Sequence, residues 1–118
     1  MMLAALACAG GGQVRLFTDI LGEIRPRLET AFGTRLRGVV LYGSRACGEA
    51  AEDSDLDLMV LLEGPINLGR DIDITVQALY PLQLEVDYPI HAMPADMADF
   101  EAQEFGVYRL AKREGIPL

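Results

Sequence analysis

Apolar residues recur at intervals of three and four positions in two parts of the chain. In the first part they are Phe17, Ile20, Leu21, Ile24, Leu28, Ala31 and Phe32. This spacing predicts an amphipathic helix over residues 14–32, which Pro26 should kink or restart and Gly33 should end. A second helix is predicted over residues 70–80, where the apolar positions in register are Ile72, Val76, Leu79 and Tyr80.

Three shorter segments have the pattern of strands. Residues 36–43 contain β-branched side chains and end in glycine, which predicts a buried strand. Residues 55–62 predict a second strand, which the turn signal Gly64-Pro65 closes. Apolar and polar side chains alternate over residues 82–90, which predicts a third strand that ends at Pro89 or lies at an edge there.

The last part of the chain favours one long helix over residues 94–114, because Pro94 lies near its start and Gly115 follows its end. The predicted order is helix, strand, strand, helix, strand, helix. This order predicts an α/β or α+β fold, with a small mixed β-sheet and helices packed against it. No repeat or long linker divides the chain, so we expect one domain over residues 13–118 after a flexible N-terminus, residues 1–12.

Composition restricts the partners and the compartment. A chain of 118 residues with 51% hydrophobic content can bury one core. Its net charge of -8 disfavours broad electrostatic binding of nucleic acid. Two cysteines do not make a disulfide framework, which suits a reducing cytosol. The apolar opening has no preceding basic residues and is too short to span a bilayer, so we expect a cytoplasmic protein that does not bind membranes.

Two aspartates lie at the start of the second predicted strand. Side chains two positions apart on a strand point to the same face, so Asp55 and Asp57 should project together from positions about 6 to 7 Å apart. Two such carboxylates repel each other unless a cation lies between them. Divalent cations of the Mg²⁺ type bind carboxylate and phosphate oxygens together, so the pair predicts a site for a metal-bound nucleotide. The alternative is that the aspartates only cover a strand end.

A glycine and a serine follow the first predicted strand. Gly43 would let the backbone pass close to a phosphate, and the residues after it could begin a short helix whose free amides point at an anion. Ser44 could donate to that anion or serve only as a helix cap, which is the commoner role.

A third carboxylate is expected from the third predicted strand. Glu85 and Asp87 share one face of that strand, and either could approach the aspartate pair if the strands are neighbours. Three converging acids would be costly as plain structure but suit a site for two metal ions. His91 is the single histidine, and a surface or hydrogen-bonded role is expected for it rather than metal ligation.

The spacing of these residues matches a known signature. Gly43-Ser44, ten intervening residues and then Asp55-Leu56-Asp57 resemble the DNA polymerase beta-like nucleotidyltransferase superfamily. The stretch LYGSRACGEAAEDSDLDLMV further resembles the minimal nucleotidyltransferase (MNT) branch, whose members typically read Gly-Ser-Arg-Ala-Arg-Gly and later Ser-Asp-x-Asp-Leu. The order of elements extends the resemblance over about residues 14–114. Cys47 departs from it, since many relatives have a second arginine there, and this weakens the expected phosphate contacts.

The resemblance implies a nucleotidyltransferase fold like the polymerase beta palm, with ATP or another nucleoside triphosphate as substrate. It implies that Gly43 and Ser44 hold the β- and γ-phosphates and that Arg45 touches phosphate.

The resemblance also implies the metal ligands. Asp55, Asp57 and Asp87 would bind two Mg²⁺ ions, and Asp87 would help to activate an acceptor hydroxyl for attack on the α-phosphorus. Glu85 is the alternative to Asp87 as the third carboxylate.

The acceptor is expected on another protein, because the catalytic core takes up nearly the whole chain. The resemblance implies a helical HEPN toxin encoded nearby, with AMP transferred to a toxin tyrosine by the antitoxin of a toxin-antitoxin pair. Two alternatives stay open: transfer to a small molecule such as an aminoglycoside, and a module that neutralises its partner by binding alone. Whether the protein forms a homo-oligomer is also open.

A calcium loop of the EF-hand type is a further reading of the acidic stretch that begins at Asp53. It is disfavoured, since Leu58 and Gly64 occupy the positions where such a loop needs glycine and glutamate.

Overall fold

The computed structural model describes residues 16–47 and 54–118, so the predictions for residues 1–12 and for Asp53 lie outside the described residues. The elements, in chain order, are helix α1 (Phe17–Phe32), strand β1 (Leu36–Tyr42), helix α2 (Ser44–Cys47), strand β2 (Leu56–Leu62), helix α3 (Leu68–Gln83), strand β3 (Ile90–Asp96), helix α4 (Met97–Glu101), helix α5 (Gly106–Glu114) and strand β4 (Ile116–Pro117).

The four strands form one mixed sheet in the order β3-β2-β1-β4. Strand β1 is antiparallel to β2 and to β4, whereas β2 and β3 are parallel. The predicted fold class, a small mixed sheet with helices packed against it, is confirmed.

Helices cover both faces of the sheet. Alternate residues of β2 pack against α1 and α3 on one face, where the fully buried β2 side chains are Leu56, Leu58, Val60 and Leu62. Met59 and Leu61 point to the other face, where they meet Phe100 of α4 and Tyr108 of α5. Each such buried apolar side chain contributes about 1.5 to 3 kcal/mol, so β2 lies at the centre of the core. Asp57 belongs by alternation to the second of these faces.

Helix α1 is continuous through Pro26, so the predicted restart at that residue is wrong. Proline removes one helical hydrogen bond, but the same helix buries four apolar side chains, namely Ile20, Ile24, Leu28 and Phe32. That burial outweighs one lost bond. Gly33 ends the helix as predicted, with a φ of 61° and its N–H donated to the Glu29 carbonyl.

The predicted strand over residues 82–90 is wrong. Helix α3 continues to Gln83, and the bonds Leu84 N–H to Tyr80 O and Glu85 N–H to Leu82 O extend the turn beyond it. Leu82 is buried because it belongs to the apolar face of α3. The apolar residues at 82 and 84 are two positions apart, and this spacing resembles the alternation of a strand. The Gln83 side chain then bonds to both sides of the loop, because its Nε2 donates to Tyr88 O and its Oε1 accepts from Ile90 N. Strand β3 begins only at Ile90.

The predicted helix over residues 94–114 is also wrong. Pro94 lies inside β3, an edge strand, where proline is tolerated. Asp96 caps a short helix, α4, by accepting from the Ala98 N–H at 2.8 Å. A turn containing Gln103, at a φ of 56°, separates α4 from α5. Across the described ranges, no helix combines the length and hydropathy that crossing a membrane requires.

Candidate active site

The two aspartates lie where β1 ends and β2 begins. Leu56, between them, is fully buried and donates its N–H to the Pro89 carbonyl at 2.9 Å. Asp57 pairs in register with Tyr42, the last residue of β1. The core therefore holds Leu56 on one face of β2. Both carboxylates lie together at the end of the sheet where β2 begins, as the alternation of strand side chains predicted.

Gly43 makes room for the Asp57 carboxylate. Its φ is 77°, a conformation that side-chain-bearing residues rarely adopt. A Cβ at this position would lie 2.5 Å from Asp57 Oδ2, which is too close for any real contact. In the structure the group that approaches Gly43 is the carboxylate of Asp57, and the close passage of a phosphate stays a prediction. Ser44 is exposed and begins α2, in which the Ala46 N–H bonds to Gly43 O at 3.1 Å.

His91 completes the cluster. The parallel register of β2 and β3 places His91 beside Asp57. His91 Nδ1 lies 3.5 Å from Asp55 Oδ2 and 3.7 Å from Asp57 Oδ1. One ligand atom from each of the three residues lies within 4.8 Å of the others. Two carboxylates and a ring nitrogen at this spacing are a donor set that fits a divalent cation.

Asp87 and Glu85 do not join this cluster. Both are exposed, in the segment between α3 and β3, and neither belongs to the close group of ligand atoms. Their expected convergence depended on a strand that is helix end and loop instead. The third position beside the aspartates is taken by His91, which the sequence reasoning set aside. Its signal would have been the alternation of Ile90, His91 and Ala92, had the strand been placed eight residues later.

The electrostatics of the pair differ from those of an ordinary surface acid. Burial raises the pKa of Asp57, the nearby Asp55 charge raises it further, and His91 opposes this rise. Within the part of the chain that the structure describes, no lysine or arginine forms an ion pair with either aspartate. The ionised pair is therefore incompletely compensated, and a bound cation would stabilise it.

Arg45 lies beside the site but is engaged by protein groups. Its Cζ is 4.6 Å from the ring centroid of Phe17 and 4.3 Å from that of Tyr88. Its Nε donates to the Ser54 carbonyl at 2.9 Å, directly before Asp55. Cation–π contacts and this hydrogen bond connect α1, the β3 approach and the start of β2. The phosphate contact expected for Arg45 stays a prediction.

Comparison with known proteins agrees with this arrangement. The family model of nucleotidyltransferase domains matches residues 21–105, a range that contains Gly43, both aspartates and His91. The chain belongs to the nucleotidyltransferase domain family. A provisionally named protein adenylyltransferase of Methanocaldococcus jannaschii is 29% identical to this nucleotidyltransferase over 89 residues, covering 71% of this chain and 60% of the relative's own length.

A solved structure, provisionally named a minimal nucleotidyltransferase, has the same fold. It superimposes with a TM-score of 0.60 at 23% sequence identity, covering 91% of this chain and all of the other. The family match confirms the nucleotidyltransferase resemblance that the sequence motif indicated, and the solved structure confirms the fold.

Proposed function

We propose that this nucleotidyltransferase moves a nucleoside monophosphate, AMP from ATP, to a hydroxyl group of a protein, with Mg²⁺ or a similar divalent cation. The observation that carries the proposal is the carboxylate pair Asp55 and Asp57, which lies beside His91 at one end of the sheet, where Gly43 leaves room for the Asp57 carboxylate. Burial raises the pKa of Asp57, and neither aspartate has a lysine or arginine partner among the described residues, so the ionised pair is costly unless it binds a cation.

The reaction divides between the bound cation and the chain. The acceptor hydroxyl releases its proton to solvent water as its oxygen forms a bond to the α-phosphorus, the bond from that phosphorus to the bridging oxygen breaks, and pyrophosphate leaves with the electron pair. A divalent cation supplies charge stabilisation on the phosphoryl oxygens when bound. Asp55 and Asp57 would hold this cation, and we propose that a second cation binds beside it.

The chain's remaining residues orient the nucleotide. The backbone at Gly43 and Ser44 would bind the β- and γ-phosphates just after the end of β1, where Ser44 is exposed. Positioning of this kind accounts for much of the catalysis in phosphoryl chemistry, because little covalent work falls to the protein.

We further propose that the acceptor is a hydroxyl, a tyrosine in the first instance, on a helical HEPN protein encoded nearby, so that the pair acts as toxin and antitoxin. The provisional name of the archaeal relative, a protein adenylyltransferase, supports a protein acceptor. We place the pair in the cytosol, in keeping with two cysteines that make no disulfide framework.

Intact-mass spectrometry tests this proposal. The HEPN partner is incubated with the protein, Mg²⁺ and each nucleoside triphosphate in turn. We expect a gain of one AMP on the partner that needs the cation and Asp57. The variant Asp57→Asn should lose the gain, whereas Asp73→Asn, which removes an exposed acid on α3, should keep it. A stable complex without any mass gain would overturn the transfer and indicate neutralisation by binding; modification of an aminoglycoside instead would overturn the protein acceptor.

A further inference from the structure

We propose that His91 is a metal ligand beside Asp55 and Asp57, and that its ring nitrogen makes this site favour Mn²⁺ over Mg²⁺. The inference rests on the proposed function and specifies the metal of the same site. It assigns to the single histidine of the chain a role for which the sequence pattern offered a carboxylate.

The distances at the site fit a shared cation better than a shared proton. His91 Nδ1 is 3.5 Å from Asp55 Oδ2 and 3.7 Å from Asp57 Oδ1, whereas a hydrogen bond between such groups spans about 2.7 to 3.2 Å. Ligands of an octahedral cation at about 2.1 Å lie about 3 Å apart when adjacent and about 4.2 Å apart when opposite. The observed separations are too long for a hydrogen bond and lie between the two ligand spacings, so a small side-chain movement would bring the three atoms to adjacent positions on one cation.

The fold holds His91 in place. Its neighbours Ile90 and Ala92 pack against the α1 and α3 side of the core, so the alternation of β3 directs His91 to the other face. The ladder with β2 sets its position along the strand, beside Asp57. The Gln83 amide fixes the strand's first residue by accepting from the Ile90 N–H at 2.7 Å. The imidazole remains 61% exposed, so solvent and nucleotide can reach it.

An ordinary surface ion pair does not account for this placement. An exposed pair contributes about 0 to 1 kcal/mol, and at these distances the ring donates no hydrogen bond to either carboxylate. The register instead brings a nitrogen donor to a pair of acids that lacks a lysine or arginine partner within residues 16–47 and 54–118.

The donor set determines the metal preference. Mg²⁺ takes oxygen ligands and retains water, whereas imidazole suits first-row transition ions. Mn²⁺ accepts carboxylate and phosphate oxygens as readily as Mg²⁺ does, and it also accepts nitrogen. A nitrogen in place of a third carboxylate also removes one negative charge, which weakens the attraction for Mg²⁺ more than that for an ion that bonds to the ring.

The test uses the untagged full chain and Mn²⁺ as the probe. Electron paramagnetic resonance measures the free Mn²⁺, and electron spin echo modulation detects a nitrogen bound directly to it. Because the chain has one histidine, a directly bound imidazole nitrogen can come only from His91. The variants are His91→Gln, which removes the ring nitrogen, His91→Asp, which provides a third carboxylate, and Asp87→Asn, which tests the acid favoured by the sequence.

We expect nitrogen coupling in the wild type and in Asp87→Asn, and its loss in His91→Gln. Removal of the ligand should weaken Mn²⁺ binding about tenfold or more, since even outer partners of a ligand cost about 10- to 100-fold. Mg²⁺ binding, measured by calorimetry, should change less, and His91→Asp should shift the preference toward Mg²⁺. The exposure of His91 allows these variants to fold, which a thermal melt checks.

Three results would overturn the inference: no Mn²⁺ binding by the wild type, bound Mn²⁺ without nitrogen coupling, or unchanged Mn²⁺ affinity in His91→Gln. The variant Asp57→Asn separates this failure from that of the proposed function. If it loses metal binding and AMP transfer while His91→Gln keeps both, the transferase proposal stands and the histidine ligand is wrong. If the wild type transfers no nucleotide with Mg²⁺ or Mn²⁺, the proposed function itself is wrong.

Discussion

The carboxylate of Asp71 and those of Asp55 and Asp57 lie in opposite surroundings within one small fold. Asp71 is completely buried in the first turn of α3. Arg35 donates to both of its oxygens, at 3.0 and 3.1 Å, and the Asn67 N–H adds a third bond at 3.1 Å. The hydrogen bonds from Arg35, which outweigh the effect of burial, lower the pKa of Asp71.

The carboxylates of Asp55 and Asp57 are more exposed than that of Asp71, and no arginine of the described residues pairs with them. The Asp57 side chain is 29% exposed, yet burial and the Asp55 charge raise its pKa. Its ionisable neighbours in this cluster are the Asp55 carboxylate and the His91 ring, whose Nδ1 lies 3.7 Å from Asp57 Oδ1. The contrast indicates that Asp71 has a structural role, since groups of the protein itself compensate its charge. Asp55 and Asp57 instead have the surroundings of a site that binds a ligand.

The largest effect that separates the two sites is on catalysis. Asp57→Asn should lower nucleotide transfer by at least about 10²- to 10³-fold, the usual scale for losing one transition-state contact. Its free energy of unfolding should not fall, because the change removes a repulsive charge. Initial rates and urea unfolding curves measure the two quantities. A variant that is fast, or strongly destabilised, would contradict the division between the sites.

Asp71→Asn should have the converse effect. Loss of a charged, buried partner of Arg35 should lower the free energy of unfolding by about 2 to 3 kcal/mol. Transfer by the folded fraction should stay near the wild-type rate. Asp73→Asn, two positions along α3 on an exposed surface, is the matched control and should change stability by less than about 0.5 kcal/mol.

Gly43→Ala should disturb the aspartate pair, because Gly43 lies against the Asp57 carboxylate. The new Cβ meets Asp57 Oδ2, so metal binding and transfer should weaken, and the positive φ should cost about 1 to 2 kcal/mol of stability.

Two other glycines separate these causes. Gly33→Ala shares the positive φ but has nothing within 4 Å, and Gly22→Ala, in α1, has neither constraint. Gly33→Ala should lose stability without losing metal affinity, and Gly22→Ala should gain about 0.5 to 1 kcal/mol. Equal metal affinity in all three variants, measured by calorimetry, would show that the carboxylate contact is unimportant.

The pH dependence of stability should distinguish Asp71 as well. Its pKa is lower in the folded protein than the unfolded value of about 3.9, so the unfolded state binds the proton first as the pH falls. The stability that this ionised group supplies is present above that value and is lost as the pH falls through the folded pKa. Urea unfolding should therefore show the difference between wild type and Asp71→Asn narrowing in acid. A constant difference would contradict the assignment.

Sequence reasoning succeeded where local pattern and burial agree. The β2 segment combines alternating aspartates with residues that are buried on both faces, and its position and its projecting acids followed from the letters alone. The prediction for residues 82–96 failed because the conformation of this segment depends on contacts that the local sequence pattern does not show. The Gln83 amide bonds across a loop, and β3 gains its hydrogen bonds from β2. His91 was missed for the same reason, since only the register between two strands brings it to Asp57.

The central claim is that Asp55 and Asp57 form a cation-dependent centre for nucleotidyl transfer. The most direct measurement incubates the protein and the proposed HEPN partner with ATP labelled at the α- or the γ-phosphorus, with Mg²⁺ or Mn²⁺, and follows label bound to protein. The account predicts stable incorporation of the α-label and none of the γ-label, abolished by Asp57→Asn and retained by Asp73→Asn. Incorporation of the γ-label, or equal α-labelling by Asp57→Asn, would contradict it.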